Sequence, residues 1–150
     1  MKRFETTLAR SVAALLVGAL AAGAAWCSLI LLYTAFERVP AAYVLPFLAS
    51  RFVLISGIAL LVEAVLATPI WFALLIHGQR GPITAAVVGA VVSTGVHLVT
   101  LTSGLALIST SAQALEVWVL FILPGAVAGA AAWFVAYRKV VAIDPVEAFG

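Results

Sequence analysis

Four long apolar stretches fill most of this chain and limit what it can fold into. They cover about 11–36, 52–77, 82–108 and 112–137 of the 150 residues. Each has roughly 25 residues, against the ~20 that an α-helix needs to cross a bilayer. A transmembrane β-barrel would instead show ~10-residue segments of alternating polarity, and the sequence has no such pattern. We therefore predict an all-α fold: one integral membrane four-helix bundle, which occupies 1–150 as a single domain.

The composition also indicates that the chain is surrounded by lipid. The chain is 65% hydrophobic and only 9% charged, whereas soluble domains carry about 25% charged residues. A single core of this size could not bury so much apolar surface, so we expect the lipid bilayer to be the main partner. The formal net charge of +2 gives no reason to expect a nucleic acid partner.

Basic residues are divided unequally between the two sides of the predicted bundle. Six lie at the termini or between the second and third stretches: Lys2, Arg3, Arg10, Arg80, Arg138 and Lys139. The other two, Arg38 and Arg51, lie between the first and second stretches. Since cytoplasmic segments carry the excess of Lys and Arg, we predict an N-in/C-in topology with 1–10 and 138–150 in the cytoplasm. Trp133 and Tyr137 fit an aromatic belt at that interface.

The first stretch also has some features of a cleavable signal peptide. A basic start precedes an alanine-rich run and the small residues Ala22-Gly23-Ala24. The apolar run continues through Cys27 to Tyr33, however, which exceeds the 7–15 residues of a signal-peptide core. We therefore favour an uncleaved helix.

The connection at 37–51 is longer than the others and contains Pro40 and Pro46. Its remaining residues are largely apolar, so we expect it to lie in the membrane interface rather than to form a solvated loop.

Glu63 lies inside the second stretch, where a carboxylate is costly unless it pairs inside the bundle or serves an ion path. Glu63 is 17 residues before Arg80 and His97 is 17 residues after it. Two antiparallel helices joined at this turn would hold both side chains at the same depth. We therefore predict an intramembrane polar pair of Glu63 and His97. Four further polar groups would support it: Ser56, Ser93, Thr94 and Thr100.

Three roles are open for this pair. It can be a buried polar lock that fixes the register of the two helices, which we favour, a proton- or cation-coupled site, or part of a site that another subunit completes. A metal site is not expected, because Cys27 is the single cysteine and each helix carries at most one histidine. No nucleophile–base motif and no phosphate-binding loop is present in the sequence, so we predict neither enzyme activity nor a cofactor.

Small residues form stripes on two of the predicted helices. Gly125 and Gly129 make a GxxxG pattern on the fourth, and Gly18 lies in a similar stripe on the first. Such patterns let helices approach closely in lipid. We predict that they pack helices inside the bundle, with an interface to a partner chain as the alternative.

The run from Pro124 to Arg138, with Gly125, Gly129 and Trp133, resembles the last helix of small, uncharacterised four-helix inner-membrane proteins of proteobacteria. The resemblance implies a multi-pass protein of the bacterial inner (cytoplasmic) membrane and brings no known chemistry. We expect a non-enzymatic accessory or assembly subunit, in a homo-oligomer or a larger membrane complex. The alternative is a small proton-coupled transporter or channel that uses Glu63 and His97.

Overall fold

A computed structural model describes residues 8–76, 81–102 and 111–137. Within these ranges the chain is helical apart from the short connection at 37–40 and Gly81, and it contains no strand. The prediction of an all-α fold is confirmed for this part of the chain.

Helix α1 comprises Leu8–Phe36. It ends in a Schellman motif: the Arg38 N–H donates to the Ala35 carbonyl (3.2 Å) and the Val39 N–H to the Thr34 carbonyl (3.0 Å). Arg38 has φ 55°, the left-handed conformation that this motif requires and that glycine usually supplies. The chain reverses direction within a few residues and enters the next helix.

The next helix is continuous over 41–76 and is called here the second helix. It consists of α2 (Ala41–Val62), a π-helical turn (Glu63–Ala67) and α3 (Thr68–Ile76). The helix therefore starts eleven residues before the predicted span at 52–77, and the predicted interfacial segment at 41–51 is helical and continuous with it. The physical reason is packing: Val44 and Leu48 of this segment are buried. Pro46 lies near the start of α2, where it removes one helical hydrogen bond without ending the helix.

The π-helical turn directly precedes Pro69. In an α-helix the proline ring would collide with the carbonyl of Val65, and the wider turn relieves that collision. The Thr68 backbone N–H donates to the Glu63 carbonyl, five residues back. The Thr68 hydroxyl donates to the same oxygen at 2.8 Å. Proline thus sets the local backbone at Glu63.

Helices α4 (Pro82–Thr102) and α5 (Ser111–Tyr137) complete the bundle. The start of the predicted third span and the bounds of the fourth agree with them; the end of the third, 103–108, lies outside the described residues. Among the described residues, three helical ranges are long and apolar enough to cross a membrane: Ala9–Phe36, Ala42–Ala73 and Val119–Tyr137. Pro82–Val96 is a shorter apolar stretch of α4.

Helix α5 packs along both α1 and α4, and α1 packs along α2. The second helix meets α4 mainly at the π-helical turn and at α3. The core is made of small side chains, among them Ala19, Ala22 and Ala128, whereas large apolar side chains such as Val53 and Ile83 point outward. This arrangement is the one expected of a helical bundle in lipid.

One end of the bundle differs from the predicted aromatic belt. Tyr137 is buried with Ala14 and Ala136, and Trp71 and Trp133 pack against this cluster. The Trp71 Nε1–H donates to the Tyr137 hydroxyl at 3.4 Å. Tyr137 therefore closes the interior of the bundle at the end where α1 begins and α5 ends, because α3 supplies a partner for its hydroxyl.

Candidate functional site

The Glu63 side chain points from the π-helical turn toward α1 and α5. Its oxygens Oε2 and Oε1 lie 2.7 and 2.9 Å from the position that a β-carbon would take on Gly18. The carbonyl oxygen of Ala128, on α5, lies 3.1 Å from the same position. Three oxygen atoms thus converge over a glycine of α1, and the carboxyl group fills the notch that the missing side chain leaves.

Both carboxyl oxygens of Glu63 are buried, and neither has a hydrogen-bond partner in the part of the chain that the structure describes. A buried carboxylate without a partner is strongly unfavourable. A nearby backbone carbonyl oxygen adds repulsion to a negative charge, whereas it can accept a hydrogen bond from a neutral acid. The notch therefore suits a carboxylic acid better than a carboxylate.

The predicted partner, His97, lies in α4. Its side chain and that of Thr100 are outside the part of the chain that the structure describes. The π-helical turn that carries Glu63 packs against α4. The Glu63–His97 pair stays a prediction. The described neighbours of the carboxyl group are instead on α1 and α5.

The other predicted polar groups lie at separate helix contacts. Ser56 sits opposite Gly23, where a β-carbon would overlap its hydroxyl, and its Oγ is buried without a described partner. Ser93 donates from α4 to the Phe121 carbonyl of α5 at 2.8 Å. Thr94 is half-buried on α4. Of these groups, Ser93 makes a described hydrogen bond between two helices.

The GxxxG residues of α5 face α4 inside the bundle. A β-carbon on Gly125 would lie 2.5 Å from the Gly89 carbonyl oxygen. One on Gly129 would overlap the carbonyl of Ala85. The two backbones are therefore in direct contact, which only glycine at these positions permits.

A half-open cavity of about 240 Å³ lies between the helices and is lined by all four helical segments, with Glu63 on its wall. Its terminal half extends from Glu63 toward Ser11, Trp71 and Tyr137. Its distal half extends the other way, toward Trp26 and Leu120. The notch at Gly18 thus opens beside this cavity.

Sequence reasoning missed Gly18 as the neighbour of Glu63, although it had marked both residues. The signal would have been register: Gly18 is eighteen residues before the end of α1, and Glu63 is twenty-two residues after the start of α2, a start that the sequence did not reveal. Antiparallel helices joined by a short turn bring such positions together.

Two further predictions concern metal binding and similarity to known proteins. In the described ranges no set of three or more His, Cys, Asp or Glu residues could hold a metal ion. The resemblance of the last helix to small proteobacterial inner-membrane proteins stays a prediction. No family model, no curated protein and no solved structure matches the chain.

Proposed function

We propose that the chain is a multi-pass protein of the bacterial inner membrane with both termini in the cytoplasm. Three helices of sufficient length and hydropathy, and a fourth shorter one, support four spans. The six basic residues on the side of the termini support the orientation. Small residues inside and large apolar residues outside fit lipid as the surrounding solvent.

Within that membrane we propose a small proton-coupled transporter or channel, in which Glu63 carries the exchanging proton. One observation supports this most: the Glu63 carboxyl group is buried without a described partner on the wall of the cavity. As a neutral acid it can occupy the notch at Gly18. As a carboxylate it would leave the notch for the cavity, where water or a cation can stabilise the charge.

An accessory or assembly role draws support from a different feature. The second helix is covered least by the rest of the chain, and Val53, Leu61 and Val65 point outward. A helix that faces lipid has the same exposure, so this surface does not single out a partner protein. We therefore rank the accessory role second.

Carbodiimide labelling tests proton exchange without knowledge of a substrate. Dicyclohexylcarbodiimide reacts with protonated carboxyl groups in apolar surroundings, and mass spectrometry locates the adduct. We expect Glu63 to be labelled, and labelling to fall as the pH of the medium rises, because the acid loses its proton to water. Glu37, which is exposed on the connection, is the internal control and should not be labelled.

The functional counterpart uses liposomes that contain the purified protein and a pH-sensitive dye. Proton movement that depends on the protein should disappear in Glu63→Gln and persist in Glu37→Gln. Absence of labelling at every pH, or labelling that does not change with pH, would refute proton exchange at Glu63. Purification of the chain in a stable complex with a larger membrane protein would then favour the accessory role.

A further inference from the structure

The two halves of the cavity differ in chemistry. The terminal half carries polar groups from three helices, namely Ser11, Thr68, Trp71 and Tyr137. Of these, Thr68 already donates to the Glu63 carbonyl and Trp71 to the Tyr137 hydroxyl. The distal half is lined by aliphatic side chains such as Ile55, Val92 and Val96. The Ser93 hydroxyl also borders the distal half, but it already donates to the Phe121 carbonyl. Glu63 lies where the polar and apolar halves meet.

The cavity is long. Its lining on α1 extends from Ser11 to Trp26, which corresponds to about 22 Å at the rise of an α-helix. An extended alkyl chain can lie along a space of this length.

The charge of the lining restricts the occupant further. Among the described lining residues Glu63 is the acid, and none is Lys, Arg or His. An anion would find no counter-charge here, and a polyamine would bring more positive charges than one carboxylate can neutralise. A small metal ion would lose its hydration to walls that offer few oxygen atoms. A single positive charge next to an apolar tail matches both the charge and the walls.

We propose that the cavity binds an alkyl monoammonium ion, with its ammonium group at Glu63 and its alkyl chain in the distal half. The proposal rests on the proton exchange at Glu63 proposed above. The neutral acid releases its proton to water, the carboxylate leaves the notch at Gly18, and the ammonium ion pairs with it. One proton is released for each cation bound, so the charge of the site is unchanged.

The packing of the helices also gives the ligand a route. The second helix meets α4 mainly at the π-helical turn and α3, so the seam between α2 and α4 beside the distal half is the least packed side of the bundle. An alkylammonium ion partitions into the bilayer with its charge at the surface. It can therefore enter from the lipid through this seam, tail first.

The test uses the full chain in nanodiscs and n-octylammonium as the probe, with empty nanodiscs to subtract partitioning into lipid. Calorimetry measures binding, and a pH electrode in weakly buffered solution measures proton release. We expect about one proton released per octylammonium bound, and at least about tenfold weaker binding of octanoate, which has a similar alkyl tail but the opposite charge. Glu63→Gln should weaken octylammonium binding at least about tenfold and abolish proton release.

Two alanines of α2 provide a matched pair of variants. Ala59 lines the cavity, whereas Ala49 is exposed on the same helix and does not line it. Ala59→Leu should weaken octylammonium binding at least about tenfold by filling the cavity, and Ala49→Leu should leave it unchanged. If Ala59→Leu does not fold, Val96→Phe on α4 fills the same half.

Three results would overturn the proposal: equal binding to wild type and Glu63→Gln, equal binding of octylammonium and octanoate, or no effect of the filling variants. If Glu63 is labelled by carbodiimide in a pH-dependent manner but octylammonium does not bind, this inference fails and proton exchange stands. If labelling does not depend on pH, the proposed function itself fails.

Discussion

Glu63 occupies the space that a side chain on Gly18 would need, with its carboxyl oxygens 2.7 and 2.9 Å from the β-carbon position of residue 18. Real β-carbons essentially never make contacts this short. The glycine on α1 and the glutamate on the second helix therefore form one unit, in which the absence of a side chain on one helix gives room to a carboxyl group on the other.

Gly18→Ala tests this unit directly. The added methyl group overlaps the carboxyl group and also approaches the Ala128 carbonyl oxygen at 3.1 Å. Because the carboxyl group ends a flexible side chain that can turn aside, whereas the Ala128 carbonyl is backbone, we expect a loss of about 1 kcal/mol in the free energy of unfolding, at the low end for overpacked interiors, measured by denaturant titration in bicelles. Gly57→Ala is the control, because nothing lies within 4 Å of its β-carbon position, and it should show no such loss.

The double variant Gly18→Ala/Glu63→Ala assigns the cause. If the loss arises because the methyl group overlaps the carboxyl group, Gly18→Ala should cost much less stability in the Glu63→Ala background than in the wild type. The sum of two independent losses would instead show that the methyl group acts through the backbone of α5.

Much of the fold could be predicted from the sequence because the length of an apolar stretch sets the length of a membrane helix. Helices α1 and α5 agree with the predicted spans to within a few residues. The start of the second helix could not be predicted in the same way. Pro46 suggested an interruption, and the burial of Val44 and Leu48, which extends the helix across this proline, is a tertiary effect.

The unknown start of the second helix also explains why Gly18 was not predicted as the neighbour of Glu63. The prediction paired Glu63 with His97 because the turn near Arg80 is short and allows residues to be counted across it. The start of the second helix was unknown, so no equivalent count across the turn at 37–40 was available for Gly18. The local sequence also gave no direct signal for a π-helical turn, although a proline inside a helix, here Pro69, predicts some local distortion.

The contact between α4 and α5 predicts a contrast between two glycines on one helix. A β-carbon on Gly89 would overlap the backbone carbonyl of Gly125, whereas nothing lies within 4 Å of the equivalent position on Gly95. Backbone cannot rotate away as a side chain can, so Gly89→Ala should lower the free energy of unfolding by about 3 kcal/mol. Gly95→Ala should raise it by about 0.5–1 kcal/mol through helix propensity. Equal effects of the two substitutions in a denaturant titration would show that the helices do not touch here.

The two predicted supporting serines should respond differently to removal of their hydroxyl groups. Ser93 joins α4 to α5 through a 2.8 Å hydrogen bond, and interhelical bonds of this kind contribute about 0.6 kcal/mol on average, up to ~1.7 kcal/mol. Ser93→Ala should lower the free energy of unfolding by such an amount. The Ser56 hydroxyl is buried without a partner among the described residues, so Ser56→Ala should leave stability unchanged or raise it slightly. A larger loss for Ser56→Ala than for Ser93→Ala would contradict this assignment.

Pro69 links the backbone of the second helix to the chemistry of Glu63. Pro69→Ala removes the collision with the Val65 carbonyl and restores a backbone donor, so the π-helical turn should revert to an α-helix. Because the π-helical turn begins at Glu63, that reversion rotates the carboxyl group relative to α3 and away from the Gly18 notch. We expect a stability equal to or above that of the wild type, with a loss of the pH-dependent carbodiimide labelling at Glu63.

Pro46→Ala is the matched control, since that proline also lies inside the second helix but far from the turn, and it should retain normal labelling. Normal labelling in both variants would show that the π-helical turn does not position Glu63.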